Sequence, residues 1–263
     1  MSVTSKQRAT VISLNLSLGN YQQFREEIIM AAKAKQAGSV CFANVHMTIE
    51  SKFNSNIAQA VNGADWVLCD GVPLLWSMRW LYGIKQDRAT GLDMLPDLLQ
   101  QAEETGVSVF FYGSTPEILQ RTVEVCQQKY TKLTVAGTLS PPFRPLTPEE
   151  DQAVIEEITR SGAGLVFVSL GCPKQEVWMG KMRGRIPAVL LGIGGALPVL
   201  AGDVKRSPDW MQRAGLEWLF RFAQEPKRLF KRYAITNSLY VWYLLRQFIS
   251  HTAYKKNNTA VQA

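Results

Sequence analysis

Short apolar runs and amphipathic helical patterns alternate along this chain, and that alternation constrains its fold more than any other feature. Residues 10–16, 39–45, 66–69, 107–112, 133–137, 165–170 and 188–192 read as strands. Between them lie helix patterns. Residues 21–35 form one, closed by Gly38, and Ile49, Phe53, Ile57 and Val61 share one face of the next at i, i+4 spacing. Residues 92–104 form another, with Thr90 placed as N-cap three residues before Asp93. Thr115-Pro116-Glu117 opens a helix with proline at its permitted first position. Thr147-Pro148-Glu149-Glu150 has the form of a capping box. This order implies an α/β fold, a mostly parallel, Rossmann-like sheet flanked by helices, with no internal repeat.

Composition narrows the class further. The apolar share of 46% and charged share of 19% over 263 residues suit a globular chain with a sizeable core. Cys41, Cys69, Cys126 and Cys172 lack metal-ligand spacing and lie in or beside apolar runs. They read as buried thiols of a reducing, cytoplasmic compartment rather than a disulfide framework. The opening MSVTSKQRAT is polar and short, unlike a secretory leader, and no run approaches the roughly 18 apolar residues of a spanning helix.

The net charge of +7 is unevenly placed. Residues 1–202 carry 18 Lys+Arg against 18 Asp+Glu, whereas residues 203–263 carry 11 against 4. The excess belongs entirely to the tail and points to an acidic partner: an anionic membrane or a diphosphate ligand. Nucleic acid is disfavoured, because none of the common binding-domain signatures is present. Strand signals also stop near Gly202. The expected organisation is therefore an α/β unit over residues 1–202 and a small helical, basic appendage over residues 203–263.

Candidate chemistry gathers at the strand exits, where open α/β sheets bind ligands. Asp70 ends a four-residue apolar run and precedes a glycine; it reads either as a base facing the cleft or as a simple Asp-Gly turn. Asn44 ends the preceding strand, so the two side chains are expected to converge. His46, close by, reads more readily as structural than catalytic. Gly113-Ser114-Thr115 offers backbone N–H groups to an anion, or serves as an ordinary helix start. Gln175 both donates and accepts, as recognition of a uracil edge or sugar hydroxyls requires; the alternative is a solvated first helical turn. Gly192-Ile193-Gly194-Gly195 lacks the third glycine of a dinucleotide fingerprint, which disfavours an oxidoreductase. No DxD word or metal-spaced cluster is present. No cofactor is therefore expected, with leaving-group charge met by arginines, lysines and backbone amides without a metal.

Several longer words carry a resemblance. They are NVHM (residues 44–47), DGVPLLW (70–76), FFYGSTPE (110–117), LGCPKQEVWM (170–179), KRSPDWMQRAGLEWLFR (205–221) and EPKRLFKRY (225–233). Together they resemble the WecB/TagA/CpsF glycosyltransferases, glycosyltransferase family 26, over roughly residues 8–235. The resemblance implies an inverting bacterial enzyme of cell-envelope polysaccharide or teichoic-acid-like synthesis. Such an enzyme moves an N-acetylhexosamine-type or related sugar from a UDP-sugar to a polyprenyl-diphosphate-linked acceptor. It implies Asp70 as general base; Asn44, Arg88 (in the RxTG word at 88–91), Gly113 and Gln175 at the donor; and Arg221, Arg228 and Arg232 over the acceptor diphosphate. Two positions depart from the family pattern. Phe42 stands where a threonine is usual, and Leu197-Pro198 where many relatives carry Phe-Asp. A non-catalytic membrane-associated assembly subunit that kept the fold is the alternative, and a homo-oligomer is compatible with either.

The tail has its own physical reading. Glu217 and Arg221 punctuate the apolar residues of 216–222, Glu225-Pro226 breaks the helix, and Lys227, Arg228, Lys231 and Arg232 follow within six residues. Leu239, Tyr240, Trp242, Tyr243, Leu244, Leu245 and Phe248 come next. Trp and Tyr with a basic flank suit a helix lying at the headgroup level of the inner membrane face. A helical pair packed on the core is the competing arrangement.

Overall fold

The computed structural model describes residues 7–260; the side chains of Arg213, Arg228 and residues 253–260 lie outside the described set. The chain begins with a hairpin, β1 (Arg8–Val11) and β2 (Leu14–Ser17), followed by α1 (Tyr21–Lys33) and β3 (Gly38–Ala43). Next come α2 (Val45–Phe53), α3 (Ser55–Asn62), β4 (Trp66–Cys69), α4 (Val72–Tyr82) and α5 (Gly91–Thr105). Then follow β5 (Val109–Gly113), α6 (Pro116–Lys129), β6 (Val135–Leu139), α7 (Pro148–Ser161) and β7 (Leu165–Ser169). The chain continues through α8 (Lys174–Met182), β8 (Val189–Gly192), α9 (Ala196–Leu200), α10 (Asp209–Arg213), α11 (Glu217–Gln224) and α12 (Pro226–Ala260).

Strands β3 to β8 form one parallel sheet in the order β4-β3-β8-β7-β5-β6, as the alternation implies. Its strands read as continuous apolar runs because both faces are covered. Side chains still alternate by face. Val40 and Phe42 of β3 join the cluster under α1 and α5, while Cys41 and Ala43 join the cluster under α2 and α4. Phe110 and Tyr112 of β5 point to the second face, and Val109 and Phe111 to the first. Each fully buried Val, Leu or Phe contributes on the order of 1.5–3 kcal/mol.

Two expected elements divide. The run at 10–16 is a hairpin rather than one strand, reversed at Ile12, whose φ is +58°. The helix expected through Ile49 and Val61 is two helices. Asn54 leaves the helical region and its side chain accepts from the backbone N–H groups of Asn56 and Ile57, capping α3 and ending α2. Phe53 is consequently exposed and meets the Tyr243 ring edge-on. Helix α1 stops at Lys33, with Lys35 in the left-handed region, so Gly38 opens β3 rather than closing the helix. The Thr147–Glu150 capping box forms as expected.

Among the described residues no strand follows β8, and the elements beyond it are helices. Its long last helix, α12, packs on α2 and α4 and adds Tyr240 and Leu244 to the core on that face. Tyr240 Oη meets Ser77 Oγ at 2.6 Å. At the far end the Gln247 amide clasps the hairpin backbone, donating to Thr10 O and accepting from Ile12 N, both at 2.8 Å. The tail thus packs on the core and keeps a second, exposed face: Val241, Trp242, Leu245, Phe248 and Ile249 face solvent. Among the described residues no helix is long and apolar enough to cross a membrane.

Candidate active site

The exits of β3 and β4 are brought together by their backbones. Asp70 N and Gly71 N both donate to Ala43 O, at 2.9 and 3.2 Å. A Cβ on Gly71 would stand 3.4 Å from Asn44 Cα, so the glycine lets the two exits abut. Asn44 caps α2, its Oδ1 accepting from Met47 N at 3.0 Å. The two strand exits therefore meet at the backbone, while the Asn44 side-chain oxygen is turned to its own helix.

Asp70 is partly accessible at the β4 exit, two residues before α4. Loss of hydration raises its pKa from 3.8 to about 6, against the pull of Arg88 and Arg221 and with a smaller push from Glu217 and Asp93. A carboxyl in that range is largely ionised at neutral pH yet basic enough to accept a proton, as a general base must be.

Arg88 is spoken for within the protein. Its Nε donates to Asp70 O at 2.9 Å, its Nη1 to Gln212 O at 3.4 Å, and its Nη2 to Glu217 Oε2 at 2.7 Å. One guanidinium thereby ties the β4 exit to both α10 and α11. Glu217 is only 7% exposed, and its second oxygen, Oε1, has no hydrogen-bond partner among the described residues. Sequence reasoning missed this residue. The available signal was a lone carboxylate inside an aromatic run. A second clamp joins Arg206 to Asp93, which also accepts from Thr90 Oγ1 at 2.8 Å.

Gln175 is likewise saturated. Its Nε2 donates to Gly192 O and to Glu176 Oε1, both at 2.8 Å, and its Oε1 accepts from Gly171 N at 3.2 Å. It is buried rather than solvated, and it stitches the β7 loop to the β8 exit. Glu176 beside it is wholly buried, and burial raises its pKa. Gly113 has φ +101°, and a Cβ there would lie 2.5 Å from Ser169 O, so the close approach of β5 and β7 at their exits requires glycine. Ser114 N donates to Ser169 O and Thr115 caps α6, with Glu117 in the first turn. Those groups make an ordinary helix start.

The tail brings further cations. Arg221 is exposed on α11, and its Nη1 lies 3.9 Å from where a Cβ on Gly195 would stand, over the loop that follows β8. Its guanidinium has no hydrogen-bond or ion-pair partner among the described residues. Arg232 lies on α12 beside an open depression of about 330 Å³ lined by His46, Glu50, Lys231, Arg232, Ile235 and Thr236. Arg228 is on the same helix, its side chain outside the described residues. Burial, and to a lesser extent Arg232, lowers the His46 pKa to about 4, so this imidazole is neutral at physiological pH. A larger depression, about 480 Å³, lies between α6 and β6 at the opposite sheet edge, away from Asp70.

The two departures from the family pattern share a location. Phe42 and Leu197 are both buried in the apolar cluster that includes Leu92 and Ile193. The four cysteines are free thiols. Among the described residues no group of three His, Cys, Asp or Glu side chains is placed to hold a metal.

A parallel α/β sheet whose strand exits gather a perturbed carboxylate, arginines and glycine loops has the arrangement of a ligand-binding enzyme. The model of the glycosyl transferase WecG/TagA/CpsF family matches residues 9–254, and the chain belongs to that family. It is a glycosyltransferase.

Proposed function

We propose that this enzyme transfers an N-acetylhexosamine-type or related sugar from a UDP-sugar to a polyprenyl-diphosphate-linked sugar, with inversion, at the inner face of the cell membrane. One observation carries the reading: Asp70, its pKa raised to about 6, lies at the β4 exit within the fields of Arg88 and Arg221. Asp70 takes the proton of an acceptor hydroxyl as that oxygen attacks the anomeric carbon. The bond from that carbon to the diphosphate breaks on the opposite face, and UDP leaves with the electron pair. Arg221, which has no partner among the described residues, with Arg228 and Arg232, meets the diphosphate charge of donor and acceptor. Asn44 contacts the donor from the β3 exit. Gln175 and Gly113 act by holding the β5, β7 and β8 exits in register, and Arg88 by fixing the Asp70 backbone and the tail. The family membership supports sugar transfer; the tail's charge and aromatic content support the membrane-bound acceptor.

The test is a panel of UDP-sugars offered with a synthetic lipid-diphosphate-linked sugar, product being read by mass spectrometry, with Asp70→Ala and Asp70→Asn as controls. Transfer from one donor, lost in both variants, is expected. Full activity in Asp70→Ala removes Asp70 from the base role. Absence of UDP binding by calorimetry removes the donor assignment.

A further inference from the structure

Helix α4 opens two residues after Asp70, and it carries Trp76 and Trp80 at 54% and 61% exposure, their rings stacked with centroids 6.3 Å apart. Two large aromatics one turn apart and open to water mark an interaction surface. They do not stand alone. Helix α12 runs alongside α4: Tyr240 meets Ser77, and farther along both helices Gln247 Nε2 meets Tyr82 Oη at 3.4 Å. Contacts that advance together place Trp76 and Trp80 of α4 next to the helix whose exposed side carries Val241, Trp242, Leu245 and Phe248. The apolar surface therefore spans the appendage and the sheet unit.

Its charge selects the partner. Helix α4 contributes Arg79 and α12 contributes Lys227, Lys231, Arg232 and Arg246 among its described side chains, and neither helix contains any Asp or Glu. A second copy presenting the same face would oppose like charges. A surface that is negative, deformable and able to accept indole rings at its polar boundary is an anionic bilayer.

We infer that Trp76 and Trp80 form, with the outer side of α12, one continuous surface that lies on an anionic lipid bilayer, so that the sheet unit docks directly and does not hang from its tail. This rests on the membrane reading of the tail and assigns a new element to it. The geometry has a consequence for the reaction. Trp76 lies one turn beyond Val72, the first residue of α4, about 6 Å along the helix at 1.5 Å per residue. Docking through α4 brings the cleft rim to headgroup level. A sugar attached to a diphosphate in that layer then reaches Asp70 with its lipid chain still in the bilayer.

The experiment is cosedimentation of the full-length protein with vesicles of equal parts phosphatidylglycerol and phosphatidylcholine, and with phosphatidylcholine alone. Wild type is expected to bind the first and not the second. Trp76→Ser/Trp80→Ser is expected to lose at least about tenfold in partition, with an unchanged melting curve, because exposed indoles take no part in the core. As a second measurement, brominated phosphatidylglycerol is expected to quench the tryptophan emission of wild type more than that of Trp76→Phe/Trp80→Phe. Equal partition or equal quenching overturns the inference. So does a fall in sedimenting mass of the double variant without vesicles, which would mark this face as an interface between copies. If Lys227→Gln/Arg246→Gln abolishes binding while the tryptophan variant keeps it, the tail reading stands and the α4 surface falls. Wild type remaining in the supernatant with both vesicle types overturns both.

Discussion

Replacing Asp70 with asparagine should stabilise the protein, by an amount that depends on pH in a prescribed way. The unfolded chain loses this proton near the ordinary value of 3.8, whereas the folded chain holds it to about 6, chiefly because burial strips hydration from the anion. Between those values the unfolded state has released a proton that the folded state retains, so folding weakens as pH rises through the window and is constant above it. The full shift corresponds to about 3 kcal/mol, and partial solvent access reduces the expectation to about 2–3 kcal/mol. Asparagine copies the shape of the protonated acid and carries no charge. The backbone bonds at this position, from Asp70 N to Ala43 O and from Arg88 Nε to Asp70 O, survive the change. Urea unfolding of wild type and Asp70→Asn at a series of pH values measures the difference directly. It should be near zero below pH 4, grow between pH 4 and 6, and level off above pH 7. A difference that is constant with pH, or of opposite sign, refutes the idea that this carboxylate is held at a cost to the fold.

Three further outcomes follow from the same contacts. If Asp70 is the base, kcat/KM should be half-maximal near pH 6 and fall about tenfold per pH unit below it; Arg221→Ala should move the midpoint up and Glu217→Gln should move it down, since these charges pull in opposite directions. A midpoint unmoved by both changes would separate the profile from Asp70. Gln175→Ala should cost about 2–4 kcal/mol in urea unfolding, because it leaves Gly171 N and Gly192 O without their partner; a loss below 1 kcal/mol would show that the β7 and β8 exits hold themselves together. Gly113→Ala should lower the melting temperature sharply, as its methyl would overlap Ser169 O and its φ is left-handed; an unchanged melting curve would mean that the two strand exits can part freely.

The elements that could be read from the sequence are those whose signal is local and unopposed. Strand β4 has the expected bounds because an apolar run of four is stopped by Asp-Gly, and the start of α7 is set by a complete capping box. The errors came from local polar chemistry competing with periodicity. The apolar i, i+4 pattern continues across Asn54 because α2 and α3 both turn their apolar faces inward, while the break belongs to a side chain that caps its own successors. The hairpin reversal at Ile12 carries no turn signature, since a β-branched residue with φ +58° is held by its surroundings. Ser13 Oγ donates to Thr48 O at 2.6 Å and Gln247 clasps both sides of the turn, and these contacts lie far along the chain. At the sheet edge, the positions of Asp70 and Asn44 were legible because each directly follows a strand. The bonds of Arg88 were not, because Glu217 lies 129 residues away and only the folded chain brings it close.

That division has a physical sense for the reaction. The polar residues of the cleft fall into two sets. Gln175, Arg88 and Asn44 spend hydrogen bonds on the scaffold, and each fixes one strand exit or joins two. Among the described residues Arg221 has no such bond and one oxygen of Glu217 is unpaired, and Asp70 is ionised at a cost to its hydration. The proposed transfer develops charge between two diphosphates; a site for it needs rigid placement and unsaturated donors, and one residue cannot supply both. Here the α/β unit supplies the placement through saturated side chains, while α11 carries the free guanidinium over the β8 loop. The Arg88–Glu217 ion pair, 2.7 Å long and largely buried, joins the two parts. The same guanidinium that holds Glu217 of α11 also donates to the backbone of Asp70, so the placement of the tail and that of the proposed base share one side chain.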